Sequence, residues 1–302
     1  MEHKFQHYIE YYILLIFQTI IKILPLKAVL FTANFTAGFV TFFYKVRNST
    51  CMSNLAVAFP DKSLDERKKI RNASYKNILM SSFESYKYMY LSKEQKLNNL
   101  MIDDCSRELI NRINSEGKGC IVVGGHFGFF EAGGHYSTCF GIKSAYVVAN
   151  QKNKLTEKLF DVPREKAGML VIHRKHMMKL FRALKDNYFI ALLSDQNAGR
   201  KHGIFVEFFN KPASTHKNPA VICLKYNVPM LLVNTVRDKN DISKHHLSFT
   251  FVDYSDIQNS GLSQDDKIHT LVQRYTKMLE DQIKADPDHY WWIHKRYKTS
   301  PK

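Results

Sequence analysis

Between residues 119 and 284, short β-rich runs alternate with longer stretches of helical period. Cys120–Val123, Ala145–Ala149, Met169–Ile172, Tyr188–Leu193, Met230–Thr235 and Ser248–Val252 predict strands. Phe129–Cys139, Lys154–Lys166, His176–Lys185, Pro219–Lys225 and Lys267–Lys284 predict helices between and after them. The last carries Ile268, Leu271, Val272, Tyr275, Met278, Leu279 and Ile283 at helical spacing, so it has one apolar face. Strand–helix alternation predicts an α/β fold with a central, mostly parallel sheet flanked by helices. Upstream, Ser63 and Glu66 form a capping-box pattern that starts a helix near Leu64, and helical pattern continues with breaks to about Glu116.

The N-terminus follows a different rule. Tyr11–Ile21 carries no charge, then Lys22, Pro25 and Lys27 interrupt, and Ala28–Tyr44 is again uncharged. Neither run reaches the ~20 residues of a standard spanning helix, and Pro25 divides them. A short tilted span, a monotopic hairpin, an interfacial anchor and a pair of buried core helices all fit this pattern. Residues 1–45 are accordingly read as a hydrophobic membrane-anchoring segment and residues 46–302 as the main domain. The opening Glu2 and Glu10 replace the basic start of a cleaved signal peptide.

Composition narrows the partners. The net charge of +16 favours an acidic partner: nucleic acid, an anionic membrane surface or an acidic carrier protein. The basic residues are spread along the chain without a recognised nucleic-acid-binding module, which weakens the first. The cysteines number five and none forms a Cys-x-x-Cys pair, so a reduced compartment is expected and a cysteine zinc site is not. His173 and His176 are separated by Arg174 and Lys175, which makes that position electropositive and unsuited to a metal. The pair His245-His246 is expected in a solvated loop.

The segment Gly124-Gly125-His126-Phe127-Gly128-Phe129-Phe130-Glu131 places a histidine and a carboxylate where a buried strand ends and a helix begins. Imidazole ionises near neutral pH, and a carboxylate partner can fix its tautomer, so the pattern suits a general base and its orienting acid. Five residues on a straight helix turn the side chains apart by roughly 140°. The two can meet only if His126 lies in the turn and Glu131 points back. Gly125 and Gly128 permit such a turn and leave room for substrate. A satisfied turn histidine beside an unrelated surface glutamate is the plain alternative. There is no Gly-x-Ser-x-Gly elbow and no His-Glu-x-x-His zinc motif.

The block His126–Glu131 resembles the His-x4-Asp/Glu motif of the lysophospholipid acyltransferase superfamily, and more closely the bacterial lipid A biosynthesis (lauroyl and myristoyl) acyltransferases. Other blocks follow in that family's order: Arg47 with Asn54-Leu55 and Phe59-Pro60, Ile172-His173-Arg174-Lys175, Leu193 to Gly199 around Asp195-Gln196, Gly203 to Phe209, and Pro287 to Arg296. The resemblance spans about residues 10 to 298. Two departures bear on acceptor specificity more than on reaction type. Ala149-Asn150-Gln151-Lys152-Asn153 stands where the family often has Arg-Pro-Leu-x-Asn, and His173 replaces a proline.

The resemblance implies a glycerol-3-phosphate acyltransferase-like fold and transfer of a fatty acyl chain from a thioester to a hydroxyl of a (phospho)glycolipid such as a lipid A precursor. His126, Glu131 and Asp195 would be catalytic. Arg174, Lys175, Gln196, Gly125 and Gly128 would bind substrate, with Arg174 or the backbone amides of residues 124–128 facing the oxyanion. No cofactor is implied beyond the co-substrate, an acyl carrier protein or coenzyme A thioester. The implied location is the bacterial inner membrane, with the catalytic domain facing the cytoplasm. Thioester or lipid hydrolysis at the same His126–Glu131 site and a basic non-enzymatic membrane-surface or nucleic-acid-binding protein are the competing readings.

Overall fold

A computed structural model describes residues 5–43 and 47–301. The chain runs α1 (Phe5–Ile23), α2 (Leu26–Phe43), α3 (Asn48–Ala58), α4 (Leu64–Lys87), α5 (Lys93–Asn99), β1 (Leu100–Ile102) and α6 (Asp104–Ser115). It continues β2 (Cys120–Gly124), α7 (Ala132–Cys139), β3 (Ser144–Val148), α8 (Lys154–Lys166), β4 (Met169–His173), α9 (Met177–Lys185) and β5 (Phe189–Leu193). The remainder is α10 (Gly199–His202), β6 (Gly203–Phe208), β7 (Lys211–His216), α11 (Asn218–Tyr226), β8 (Met230–Arg237), β9 (His245–Phe251), α12 (Ser255–Gln258) and α13 (Gln264–Ala285).

A seven-stranded sheet has the order β1-β9-β8-β2-β5-β3-β4. Strands β8, β2, β5, β3 and β4 are mutually parallel, and β9 runs antiparallel to β8. This is the expected α/β architecture. Strand β2 lies at its centre and is buried throughout, as its unbroken apolar run requires. One face packs on α9, α11 and α13 through residues such as Ile121, Val123, Ile190 and Leu271. The other packs on α6 and α7 through Val122, Phe189, Ile110 and Tyr136.

Two features differ from expectation. β6 and β7 form a separate antiparallel hairpin that the strand pattern did not predict. His245, expected in a solvated loop, is buried in β9. Its Nε2 lies 2.9 Å from Glu84, which also takes a two-point contact from Arg237. Glu84 is fully buried, and its charge survives because Arg237 and His245 face it. The Ser63–Glu66 capping box closes the start of α4 as expected.

The expected boundary at residues 45 and 46 lies outside the described residues. Among the described residues no helix is long and apolar enough to cross a membrane. Both N-terminal helices instead have two faces. Ile21, Val29, Leu30, Ala33 and Ala37 are buried, while Ile13, Ile16 and Ile23 on α1 and Phe31, Phe35 and Phe39 on α2 are exposed.

Candidate active site

The geometry of the site follows from strand register. β2 and β5 are parallel neighbours, and Gly124 pairs with Leu193. The Ser194 N–H donates to the Gly124 carbonyl (3.2 Å), so the pairing runs one step past the strand ends. His126 and Asp195 each lie two residues beyond this pair, side by side at the C-terminal edge of the sheet, where α/β proteins place their sites. His126 Nδ1 lies 2.8 Å from Asp195 Oδ1, and the His126 N–H donates to Asp195 Oδ2 at 3.0 Å.

Asp195 is buried, and desolvation opposes its charge. The facing His126, its two hydrogen bonds and the nearby Arg296 outweigh that cost and hold the carboxyl at about 2. With Asp195 an acceptor, Nδ1 carries the proton and Nε2 presents its lone pair. The Gln196 amide nitrogen lies 3.3 Å from Nε2 and can donate to it. The imidazole keeps 19% of its side-chain surface exposed, against 3% for Asp195, so the ring is partly open to solvent and its anchor is not.

Glu131 does not serve His126 as expected. Its Oε1 takes 2.6 Å and 3.2 Å hydrogen bonds from Arg164 on α8, and its buried Oε2 has no hydrogen-bond partner. The chain from Phe129 turns into α7 and carries the carboxylate away from the ring. Burial opposes the Arg164 charge, yet Glu131 raises the guanidinium above its ordinary value. This pair fastens the start of α7 to α8.

The glycines also differ from expectation, because protein fills the space they leave. A Cβ on Gly128, whose φ is +52°, would meet the Thr235 carbonyl oxygen at 2.0 Å. One on Gly125 would meet Leu279 at 3.0 Å. The amides of His126, Phe127 and Gly128 donate to Asp195, Gly125 and His289, so none of the three is free for an oxyanion. Gln196 is beside His126 Nε2. Arg174 and Lys175 are exposed just past the end of β4, with Arg174 lining a cavity next to Ser194.

The C-terminal segment also holds the turn around His126. The Trp291 N–H donates to the His126 carbonyl (3.1 Å), and the Gly128 N–H donates to the His289 carbonyl (2.9 Å). The Trp291 and Phe130 rings flank the imidazole with centroids 5.1 and 5.3 Å away. Tyr290 and Trp292 are core residues. This strap is fixed from α3 and α4. Asn54 Nδ2 donates to the Trp292 and His294 carbonyls at 2.7 Å each, and Ser74 Oγ donates to the Tyr290 carbonyl at 2.6 Å. Such contacts leave no periodic mark in a sequence, though Asn54 stands out as a buried amide in an otherwise apolar stretch.

Ligand atoms of Glu157, Asp161 and His173 lie within 4.8 Å of one another. They are already engaged: Asp161 with His173 at 2.9 Å, and Glu157 with Lys154 at 2.8 Å. This polar network tethers α8 to the end of β4.

The family model described as bacterial lipid A biosynthesis acyltransferase matches residues 1–299. The chain is similar to the lipid A biosynthesis palmitoleoyltransferase of Escherichia coli strain K12, 27% identical over 261 residues, covering 86% of this chain and 81% of the relative. It is 25% identical over 262 residues to the lipid A biosynthesis acyltransferase of Haemophilus influenzae, covering 84% and 78%. It is 22% identical over 261 residues to the E. coli lipid A biosynthesis lauroyltransferase, covering 86% and 81%.

Proposed function

The chain belongs to the bacterial lipid A biosynthesis acyltransferases, and from that premise we propose that His126, oriented by Asp195, is the general base of its acyl transfer. The donor is an acyl thioester, of an acyl carrier protein or coenzyme A. The acceptor is a hydroxyl of a phosphoglycolipid such as a lipid A precursor. The observation that carries this reading is the 2.8 Å contact between His126 Nδ1 and Asp195, which leaves Nε2 basic and reachable.

The acceptor hydroxyl displaces Gln196 from Nε2 and gives its proton to that nitrogen as its oxygen attacks the thioester carbonyl. Asp195 stabilises the imidazolium that forms. The tetrahedral oxyanion needs donors other than the engaged amides of His126, Phe127 and Gly128, and the released Gln196 amide and Arg174 are the candidates. Collapse breaks the C–S bond, and the imidazolium returns its proton to the departing thiolate. No acyl-enzyme forms, because the histidine acts only on protons.

The exposed apolar faces of α1 and α2 suit an in-plane position at a membrane surface, and the +16 charge suits anionic lipid head groups. This supports a peripheral seat on the cytoplasmic face of the inner membrane. Flotation with anionic vesicles tests it: Phe31→Glu/Phe35→Glu should leave the protein in the bottom fraction, and undiminished flotation removes the reading. For the reaction, purified protein is given an acyl thioester with and without a lipid A precursor, and products are read by mass spectrometry. Acylated lipid that disappears in His126→Ala is expected. Thioester hydrolysis independent of acceptor would make the protein a hydrolase instead.

A further inference from the structure

Arg296 carries a charge that a protein interior rarely tolerates alone. It is 2% exposed, and among the described residues it forms no ion pair. Nη1 donates to the Ser214 carbonyl at 2.6 Å, Nη2 donates to Thr215 Oγ1, and Nε has no hydrogen-bond partner. The Phe208 ring lies against the guanidinium, its centroid 5.1 Å away. The Ser214 carbonyl also accepts from the Ala198 N–H at 3.2 Å, and the Asn197 N–H donates to His294 Nε2 at 3.0 Å. The loop that begins with Asp195 is thus tied on both sides to the residues that hold Arg296. Asp195 and Arg296 line one small void of about 10 Å³ behind the His126–Asp195 pair. That volume is about the size of a single water, so little solvent screens one charge from the other.

Resting on the function proposed above, we propose that Arg296 is a positioning residue for the acyl transfer: acting through Asp195, its charge keeps that carboxylate ionised and limits how firmly the carboxylate draws a proton onto His126. A buried aspartate with no other counter-ion would favour the imidazolium, and a ring already protonated cannot act as a base. A fixed cation behind the carboxylate offsets that pull and leaves the Nδ1 contact in place. The other groups that face Arg296 are neutral at pH 7. His216 on β7 is held down to about 4 by burial, with Arg174, Arg296 and His202 adding to it. His294 is lowered by burial, with His126, Arg296 and Arg47 acting in the same sense. Tyr275 on α13 and Tyr290 and Tyr297 in the C-terminal segment are pushed up by burial. Glu280, on the far side of Tyr297, pairs with Lys277 and Lys284. Asp195 is therefore the anion that answers the guanidinium. A role confined to anchoring β7 would ask only for a hydrogen-bond donor to Ser214, which a neutral side chain can supply.

The experiment compares the full-length protein with Arg296→Met, which is neutral, and with Arg296→Lys, which keeps the charge. Arg296→Gln is the neutral variant to use if Arg296→Met fails to fold. Two quantities are followed against pH: the His126 imidazole signal by NMR without substrate, identified by its absence in His126→Gln, and kcat/KM for acyl transfer. Loss of the cation should move the midpoint of the ring titration and the acid limb of kcat/KM upward together, by about one pH unit. At a pH on that limb this is roughly a tenfold loss of rate. Arg296→Lys should stay near wild type. A folded neutral variant with both midpoints unmoved overturns the proposal and leaves Arg296 an anchor of β7, visible only as lost stability. Arg296→Lys displaced as far as the neutral variant overturns it too, because charge would not be the cause. A ring midpoint that moves in a protein without acyl transfer upholds the coupling through Asp195 while refuting the reaction.

Discussion

Two buried carboxylates flank the same turn and are used differently. Asp195 meets a ring that keeps 19% of its side chain exposed. Glu131 meets Arg164, whose side chain is almost as exposed, at 17%. Both carboxylates are held by an opposite or protonatable group at hydrogen-bond distance, so charge pairing alone does not separate the proposed orienting acid from a fastening one. The partner's chemistry does. Nε2 of His126 keeps a lone pair that can take a proton, which makes that pair open, whereas the Arg164 guanidinium is spent on Glu131 and has no lone pair to offer at neutral pH, which makes that pair closed.

The largest effect should come from the open pair. His126→Ala removes the proposed base and should lower kcat by up to about 10⁴-fold, with an unchanged circular dichroism spectrum. Asp195→Asn keeps the shape but favours the wrong tautomer, and a loss of about 10³–10⁴-fold is expected. Steady-state assays of both variants check this. A single turnover rate shared by wild type and Asp195→Asn would end the orienting role.

The closed pair should fail in another currency. Glu131→Ala leaves Arg164 buried and unpaired, a change that costs about 3–5 kcal/mol of stability. Urea unfolding should show that loss. Glu131→Gln keeps a hydrogen-bond acceptor for Arg164, and its folded fraction should retain far more turnover than Asp195→Asn. Were Glu131→Gln as inactive as Asp195→Asn with normal stability, the distinction between the two carboxylates would collapse. The unpartnered Oε2 of Glu131 would then be the group to pursue.

How far the site could be read from residues alone depends on which contacts are local. Strand β2, the turn glycines and His126 are legible because a buried apolar run ending in glycines marks a strand edge. Asp195 entered by family resemblance. Physical reasoning on the sequence favoured Glu131, since it is near in the chain. The true neighbour is 69 positions away and is brought close by β2–β5 pairing, which depends on strand order. In retrospect the two runs share a mark: each ionisable residue follows its strand end by two positions. His245 misled for the same reason, its partner Glu84 being 161 positions distant. The β6–β7 hairpin was missed because Lys211–His216 lacks the apolar alternation that signals a strand.

A smaller change should act on the open pair through its support. Asn54→Ala removes both bonds that fix the C-terminal strap under Trp291, leaving two carbonyls with no donor. A stability loss of about 1–3 kcal/mol is expected. If the strap positions His126, kcat should fall more than KM rises, and Asn54→Gln should not restore it because the longer side chain misplaces the amide. Unfolding curves and kinetics together decide this: lost stability with intact kcat would make the strap a packing element only.

The smallest effect probes the closed side by pH. His135 lies beside that pair with both ring nitrogens unpartnered, and burial, aided by Lys96 and Arg164, pushes its pKa well down. His245 is lowered by burial as well. Such histidines are neutral in the folded protein, while in the unfolded chain they take up protons near pH 6.5, about their ordinary value. Below that point the unfolded state binds more protons, so stability falls as pH drops; above it the contribution is complete. Glu84 and Asp195, both held at about 2, add a second loss of the same sign only below about pH 4, the unfolded carboxylate range. The melting temperature should therefore decline between about pH 7 and pH 5, before any carboxylate is protonated. His135→Gln, which cannot titrate, should flatten that decline. A profile as steep as that of wild type would mean that the proton uptake lies elsewhere and that the core around Glu131 and Arg164 is more open to water than its burial implies.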